Sequence, residues 1–321
     1  VFLLSGLLVL VAALAGWQRL SLPRARAVDW TGGSLLGMGL LLGVLALYPD
    51  DPSVRAVNRW ALPLGVGALA LLGLFGWRSS RVASPLLPAA LTGRPAFWLS
   101  LSANAFTGAA LMVALVDVPV LARGVYGIDQ NAAGLLLVRF LAGIPVGALL
   151  GGLVSARLGR RLPVVAGFAA AAAMFWLMSG WGAHQDRTDP LGVLVTLFAG
   201  GLGFGLVIAP LSALVIELGG SAEHGVAAAA FVVARTLGML AGLSGLTAFG
   251  LRRFYVILAS FGPCAGSSLS AQLTCLELHV RDALLREYQE IFGVAAGLCL
   301  LACLLALLSL SGRTAPTAAP G

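Results

Sequence analysis

Four polar side chains stand inside long apolar runs of this 321-residue chain: Asn104, Asp117, Arg139 and Arg235. In such surroundings an ionisable group needs a counter-ion, a proton or water, and groups of this kind mark ion and substrate pathways. Asp117 sits in GAALMVALVDVPVLARG, residues 108–124. The following turn centres near Ile128, so Asp117 and Arg139, equally far from it on either side, fall at similar depth in an antiparallel hairpin. Three arrangements stay open: an ion pair facing a cavity, a protonatable Asp117, or a wetted Asp117 near the outer interface with Arg139 snorkelling. Arg235 follows Gly225 by ten residues, ~15 Å into its segment, which is too deep for easy snorkelling. It is expected to face a polar cavity. Asn104 bonds either across that cavity or between two helices.

The elements that carry these groups must cross a membrane. Hydrophobic residues make up 59% of the chain and charged residues 10%, against about 25% charged in a soluble domain. The mean hydropathy is +0.97. Such a chain cannot cover a water-facing surface, so the fold class is all-α integral membrane. No alternation of polar and apolar residues suggests a barrel. All twenty basic residues are arginine. They cluster in short connections, which reads as membrane orientation and excludes nucleic acid as a partner.

Nine apolar segments follow: about 1–17, 30–48, 60–77, 96–121, 131–154, 163–182, 191–216, 226–250 and 289–311. The first is short for a span of roughly 20 residues and has no basic region before it. It reads as the tail of a longer helix, and the chain as the C-terminal part of a larger protein. Arginine balance places Arg19, Arg24, Arg26, Arg78, Arg81, Arg94, Arg157, Arg160 and Arg161 inside, against Arg55, Arg59, Arg123 and Arg187 outside.

From Gly225 the chain runs to Phe261 without proline. As one helix this would be ~55 Å long, well over the ~30 Å hydrocarbon core. The membrane portion should end near Arg252 and Arg253, leaving an outer extension over about 252–288. Within it Leu273, Leu276, Val280, Leu284 and Tyr288 form an apolar stripe. That stripe is either a helix lying on lipid headgroups or a platform for a lipid-like substrate or a protein. Cys264 and Cys275 flank the polar stretch between the two halves of the extension, and a disulfide is open to them.

Other chemistry is thin. His184, His224 and His279 share no metal spacing, and no phosphate loop or nucleophile–base–acid set is present. No metal, no cofactor and no enzyme activity are expected. Gly143, Gly147 and Gly151, and Gly238 with Gly242, form small-residue ridges suited to close helix packing.

Two stretches carry a resemblance. GGLVSARLGRR, residues 151–161, resembles the short inside-loop motif of the major facilitator superfamily. Gly152, Arg157, Gly159, Arg160 and Arg161 match it, while Ala156 stands where the motif has an acidic residue. Residues 201–245 resemble the late helices of the fourteen-helix drug:proton antiporters of that superfamily, through Gly201, Gly203, Gly205, Pro210, Gly225, Arg235, Gly238 and Gly242. With residues 110–152, the chain is similar to the mycobacterial-type lipid exporters that work with a periplasmic lipoprotein.

The resemblance implies the end of a sixth helix and a cytoplasmic linker over 1–29, and two linker helices over 30–94. A C-terminal six-helix bundle follows over 95–313, with a disordered inside tail over 314–321. It further implies proton-coupled export of triacylglycerol or related lipids through the bacterial inner membrane. The partners would be membrane lipids, the missing N-terminal half and a periplasmic lipoprotein. A multidrug:proton antiporter and a non-transporting lipoprotein dock remain the alternatives.

Overall fold

A computed structural model describes residues 29–47, 58–82, 85–264 and 268–311. The apolar run 1–17, the arginines 19, 24, 26 and 55, and the tail 314–321 lie outside the described residues. Within them every regular element is a helix. A hairpin of α1 (Trp30–Leu47) and α2 (Ala61–Ser79) comes first. Short α3 (Ala89–Thr92) leads into α4 (Pro95–Gly124), α5 (Gln130–Leu158) and α6 (Arg161–Ser179). After the single turn α7 (Gln185–Thr188) come α8 (Pro190–Leu218), α9 (Gly220–Ser260) and α10 (Leu269–Ser311).

Local chemistry sets the helix ends. The Asp129 carboxylate accepts the Asn131 N–H at the start of α5, and Asp189 accepts that of Gly192 at the start of α8. Both satisfy amide groups that a helix N-terminus leaves unpaired. Gly159 ends α5 with φ of 82°, a backbone state that disfavours any side chain. That accounts for one glycine of the inside-loop motif. Asp29 caps α1 through the Gly32 N–H at 2.9 Å and also receives Arg78 of α2 at 2.9 Å. The Arg78 hydrogen bond, then that of Gly32, holds the Asp29 carboxyl below its ordinary range.

The six long helices from α4 onward form one body. α4 packs against α9 and α10, α5 against α8, and α6 against α8 and α10. Phe140, Phe175, Phe204 and Phe292 meet at its centre, with ring centroids 5.8–6.3 Å apart. The α5–α8 contact is closest of all, because glycines face each other. A methyl group on Gly143, Gly147, Gly201 or Gly205 would land on a backbone carbonyl of the opposite helix. Pro210 is also buried within α8. Gly238 and Gly242 of α9 rest in the same way on Ala105 and Ala109 of α4. Small residues at these positions let backbones touch, the arrangement expected where lipid supplies no hydrophobic drive between helices.

The surface is inverted relative to a soluble protein. Trp30, Leu62, Leu69, Leu149 and Trp176 are all more than two-thirds exposed. Among the described residues eight helices are long and apolar enough to span, and the chain is a multi-pass membrane protein.

The sequence reading separated an amphipathic stretch over 273–288 from a span over 289–311. They are one helix of 43 residues, ~65 Å long. The buried face Ala283, Glu287, Ile291, Ala295 and Cys299 runs through the expected junction without interruption. The amphipathic part therefore continues the spanning helix and does not turn to lie along the headgroups. With the 41 residues of α9, it builds a helical hairpin that outruns the hydrocarbon core.

Candidate functional site

Two regions hold the polar groups that the sequence singles out. The first is the faces of α4 against α9 and α10. Asn104 is buried, and its amide donates to the Phe231 carbonyl of α9 at 2.6 Å. It is thus an interhelical clamp. Among the described residues its own Oδ1 has no partner, nor has the neighbouring Ser100 hydroxyl. One turn on, Gly108 of α4 lies directly against the Arg235 carbonyl. Arg235 itself is half-buried, and no carboxylate among the described residues pairs with it.

Asp117 and Arg139 form no ion pair. The pairing that depth alone allows fails because the two helices turn their packed faces apart, α4 toward α9 and α10 and α5 toward α8. Asp117 comes instead within electrostatic reach of Glu287 and Tyr288 on α10. Glu287 is 7% exposed, and Gly250 of α9 makes room for it, since a methyl there would stand 2.5 Å from Glu287 Oε1. Arg253 of α9 is held by Glu290, Nη2 to Oε1 at 2.6 Å. Two carboxyl groups thus approach one another with no cation between them among the described residues. Such a site holds a proton or recruits a cation.

Glu287 escaped the sequence reading, which followed the stripe through Val280, Leu284 and Tyr288. A signal was present. Glu287 is the one charged residue in the series Ala283, Ile291, Ala295, spaced by four.

At the inside face, Arg160 of the loop motif pairs with Glu217 at the end of α8, Nη1 to Oε2 at 2.8 Å. A carboxylate from another helix thus supplies a partner that the motif itself, with Ala156, does not carry. Arg157 and Arg161 flank it, and Gly152 has open space around it.

The second region is the far end of the α9–α10 hairpin, beyond Arg252 and Arg253. Its base is strapped to the turn after α6: Arg281 donates to the Ala183 carbonyl at 3.0 Å and Gln289 to that of Trp181 at 2.9 Å. Its tip is closed by the disulfide Cys264–Cys275. Below the tip lies a pocket of about 370 Å³ walled by Leu258, Phe261, Pro263, Leu269, Leu273 and Leu276. Leu269, Leu273 and Leu276 are half or more exposed. The hairpin offers apolar surface and little that is catalytic.

Comparison with known proteins agrees with this architecture. A triacylglyceride transporter of Mycolicibacterium smegmatis is 41% identical over 301 residues, covering 89% of this chain and 53% of that protein. A triacylglyceride transporter of Mycobacterium tuberculosis is 40% identical over 298 residues, covering 89% and 57%. A probable triacylglyceride transporter of Mycobacterium leprae is 36% identical over 293 residues, covering 88% and 57%. The chain spans a little over half the length of these curated relatives. Residues 1–243 match the family described as Major Facilitator Superfamily. With its glycine-tight helices and its inside-loop motif, the chain belongs to the Major Facilitator Superfamily.

Proposed function

We propose that the full-length protein is a secondary transporter that exports triacylglycerol or related hydrophobic lipids across the bacterial inner membrane. The outer hairpin carries this reading. Two helices continue past the membrane and present Leu269, Leu273, Leu276 and Tyr255 to the outer compartment. An exposed apolar surface of this kind suits a cargo that cannot enter water unaided. The relatives named triacylglyceride transporters, at about 40% identity over most of the chain, support the same cargo class.

The α4–α10 carboxyl groups supply a place for a driving proton. Protonation at Asp117 or Glu287 would change the charge on a seam that links the helical body to the hairpin. Arg235, with no carboxylate partner among the described residues, would face the half of the transporter that precedes it. Alternating access would then proceed by rocking of the two helical halves. A periplasmic lipoprotein is the partner proposed to receive lipid at the hairpin.

The test uses full-length protein in proteoliposomes under an imposed proton gradient, with labelled triacylglycerol and a cationic dye followed in parallel. The expected result is lipid movement that requires the gradient and falls at least tenfold in Asp117→Asn. Dye movement without lipid movement would favour a multidrug antiporter. Movement of neither, with a lipoprotein still bound, would favour a docking role.

A further inference from the structure

The hairpin tip gathers three metal-ligating side chains that the transport reading does not use. Cys275 and His279 are one helical turn apart on α10, and Cys264 reaches them from the turn that follows α9. His279 Nδ1 stands 3.6 Å from Cys264 Sγ, and its Nε2 stands 3.8 Å from Cys275 Sγ. Phe261 stacks on the imidazole at 4.6 Å and 11°, which fixes the ring plane. All three side chains are partly exposed.

We propose that the tip is a Cys2His binding site for a borderline-soft divalent cation, zinc above all, whenever its cysteines are in the dithiol form. The spacing supports it. A tetrahedral ion with bonds of about 2.3 Å to sulfur and 2.0 Å to nitrogen holds its sulfur and nitrogen ligands about 3.5 Å apart. The two His279–sulfur distances, 3.6 Å from Nδ1 and 3.8 Å from Nε2, are of that size, and one ligand atom from each of the three residues lies within 4.8 Å of the other two. Two adjustments complete the site: the sulfurs separate to about 3.8 Å in the same geometry, and the ring turns within its stacked plane so that one nitrogen faces both of them. Their Cα atoms are 5.9 Å apart, and Cys264 lies on a turn preceded by Gly262 and Pro263, outside both helices. The fourth position opens beside the apolar pocket, with room for water. Three protein ligands and one open place are the pattern of exchangeable zinc sites.

Disulfide and metal are then alternative staples for one tip. The cysteines start as thiols in the new chain, and a dithiol reductant that is itself oxidised to a disulfide returns them to that state. Binding a divalent ion releases one proton from each thiol and changes no oxidation state. The site does not depend on what the protein transports.

The test takes the full-length protein in lipid nanodiscs, in a background with Cys299 and Cys303 replaced by alanine. The protein is reduced with a phosphine and titrated anaerobically with Co2+. The expected result is one equivalent bound with a near-ultraviolet thiolate-to-cobalt band. That band should be absent from the oxidised protein and from Cys275→Ser, and His279→Ala should weaken binding tenfold or more. In the unsubstituted protein, Zn2+ should displace Co2+ and protect Cys264 and Cys275 from alkylation, which requires no variant to fold. No band after reduction would overturn the proposal. So would equal binding in the oxidised protein, or full affinity without His279.

Discussion

At the scale of single residues, the glycines are the most legible feature and the carboxylates the least. The ridge Gly143, Gly147, Gly151 could be read from spacing alone, because close approach in lipid leaves a simple signature of small residues every fourth position. Its partners on α8, Gly201 and Gly205, have no such register with α5 in the sequence and needed the fold. A direct test compares two substitutions of one chemistry. Gly201→Ala should lower thermal stability, by about 1–3 kcal/mol as overpacked sites do, because its methyl would meet the Phe140 carbonyl. Gly134→Ala has nothing within 4 Å and should be neutral or stabilising, since alanine is the better helix former. Equal effects would remove the packing argument. Asp117 was visible as a charge out of place, but its neighbour was not. Depth in a hairpin points to Arg139, whereas which face turns inward is decided by α9 and α10, more than a hundred residues later in the chain. The consequence is measurable. Glu287→Gln should reduce gradient-driven lipid movement about as much as Asp117→Asn. The double variant should lose little more, as expected for groups that act on one site.

At the scale of elements, segment positions were legible and their continuity was not. Eight apolar runs read from the sequence fall on the eight described spanning helices. The break expected between 288 and 289 is absent, because a polar–apolar change of composition is not a helix breaker and no proline or cap stands there. The linker hairpin shows the opposite case, a tie that composition does not reveal. Asp29 joins the start of α1 to the end of α2 through Arg78, and its folded-state pKa is depressed by that hydrogen bond. A depressed carboxyl stabilises the fold above its unfolded value of 3.8. That contribution fades as pH falls through the still lower folded value. Protection factors for hydrogen exchange in α1 and α2, corrected for the intrinsic rate at each pH, should therefore fall below about pH 4 in the wild type. In Asp29→Asn they should already be low at neutral pH and should change little on acidification. A similar acid response in both proteins would show that another group is responsible.

At the scale of the whole molecule, the α9–α10 hairpin is separable from the body that holds it. The central aromatic cluster Phe140, Phe175, Phe204 and Phe292 lies within the six-helix body. Arg253 with Glu290, and Gln289 with Trp181, tie the hairpin near its base. Replacing residues 256–286 by a short turn removes the tip, the disulfide and the exposed leucines, and it leaves those ties and Glu287 in place. The shortened full-length protein should stay monodisperse and melt close to the wild type, because little of the buried core is lost. Its movement of labelled triacylglycerol should nevertheless fall to background, since the apolar surface proposed to receive lipid is gone. Proton-linked conformational change, followed by the pH dependence of a fluorophore placed on the inside loop near Arg157, should persist. That combination would assign the hairpin to lipid release and the helical body to coupling. Lipid movement at the wild-type rate would instead show that cargo leaves directly from the bundle, and the hairpin would then serve only to bind a partner.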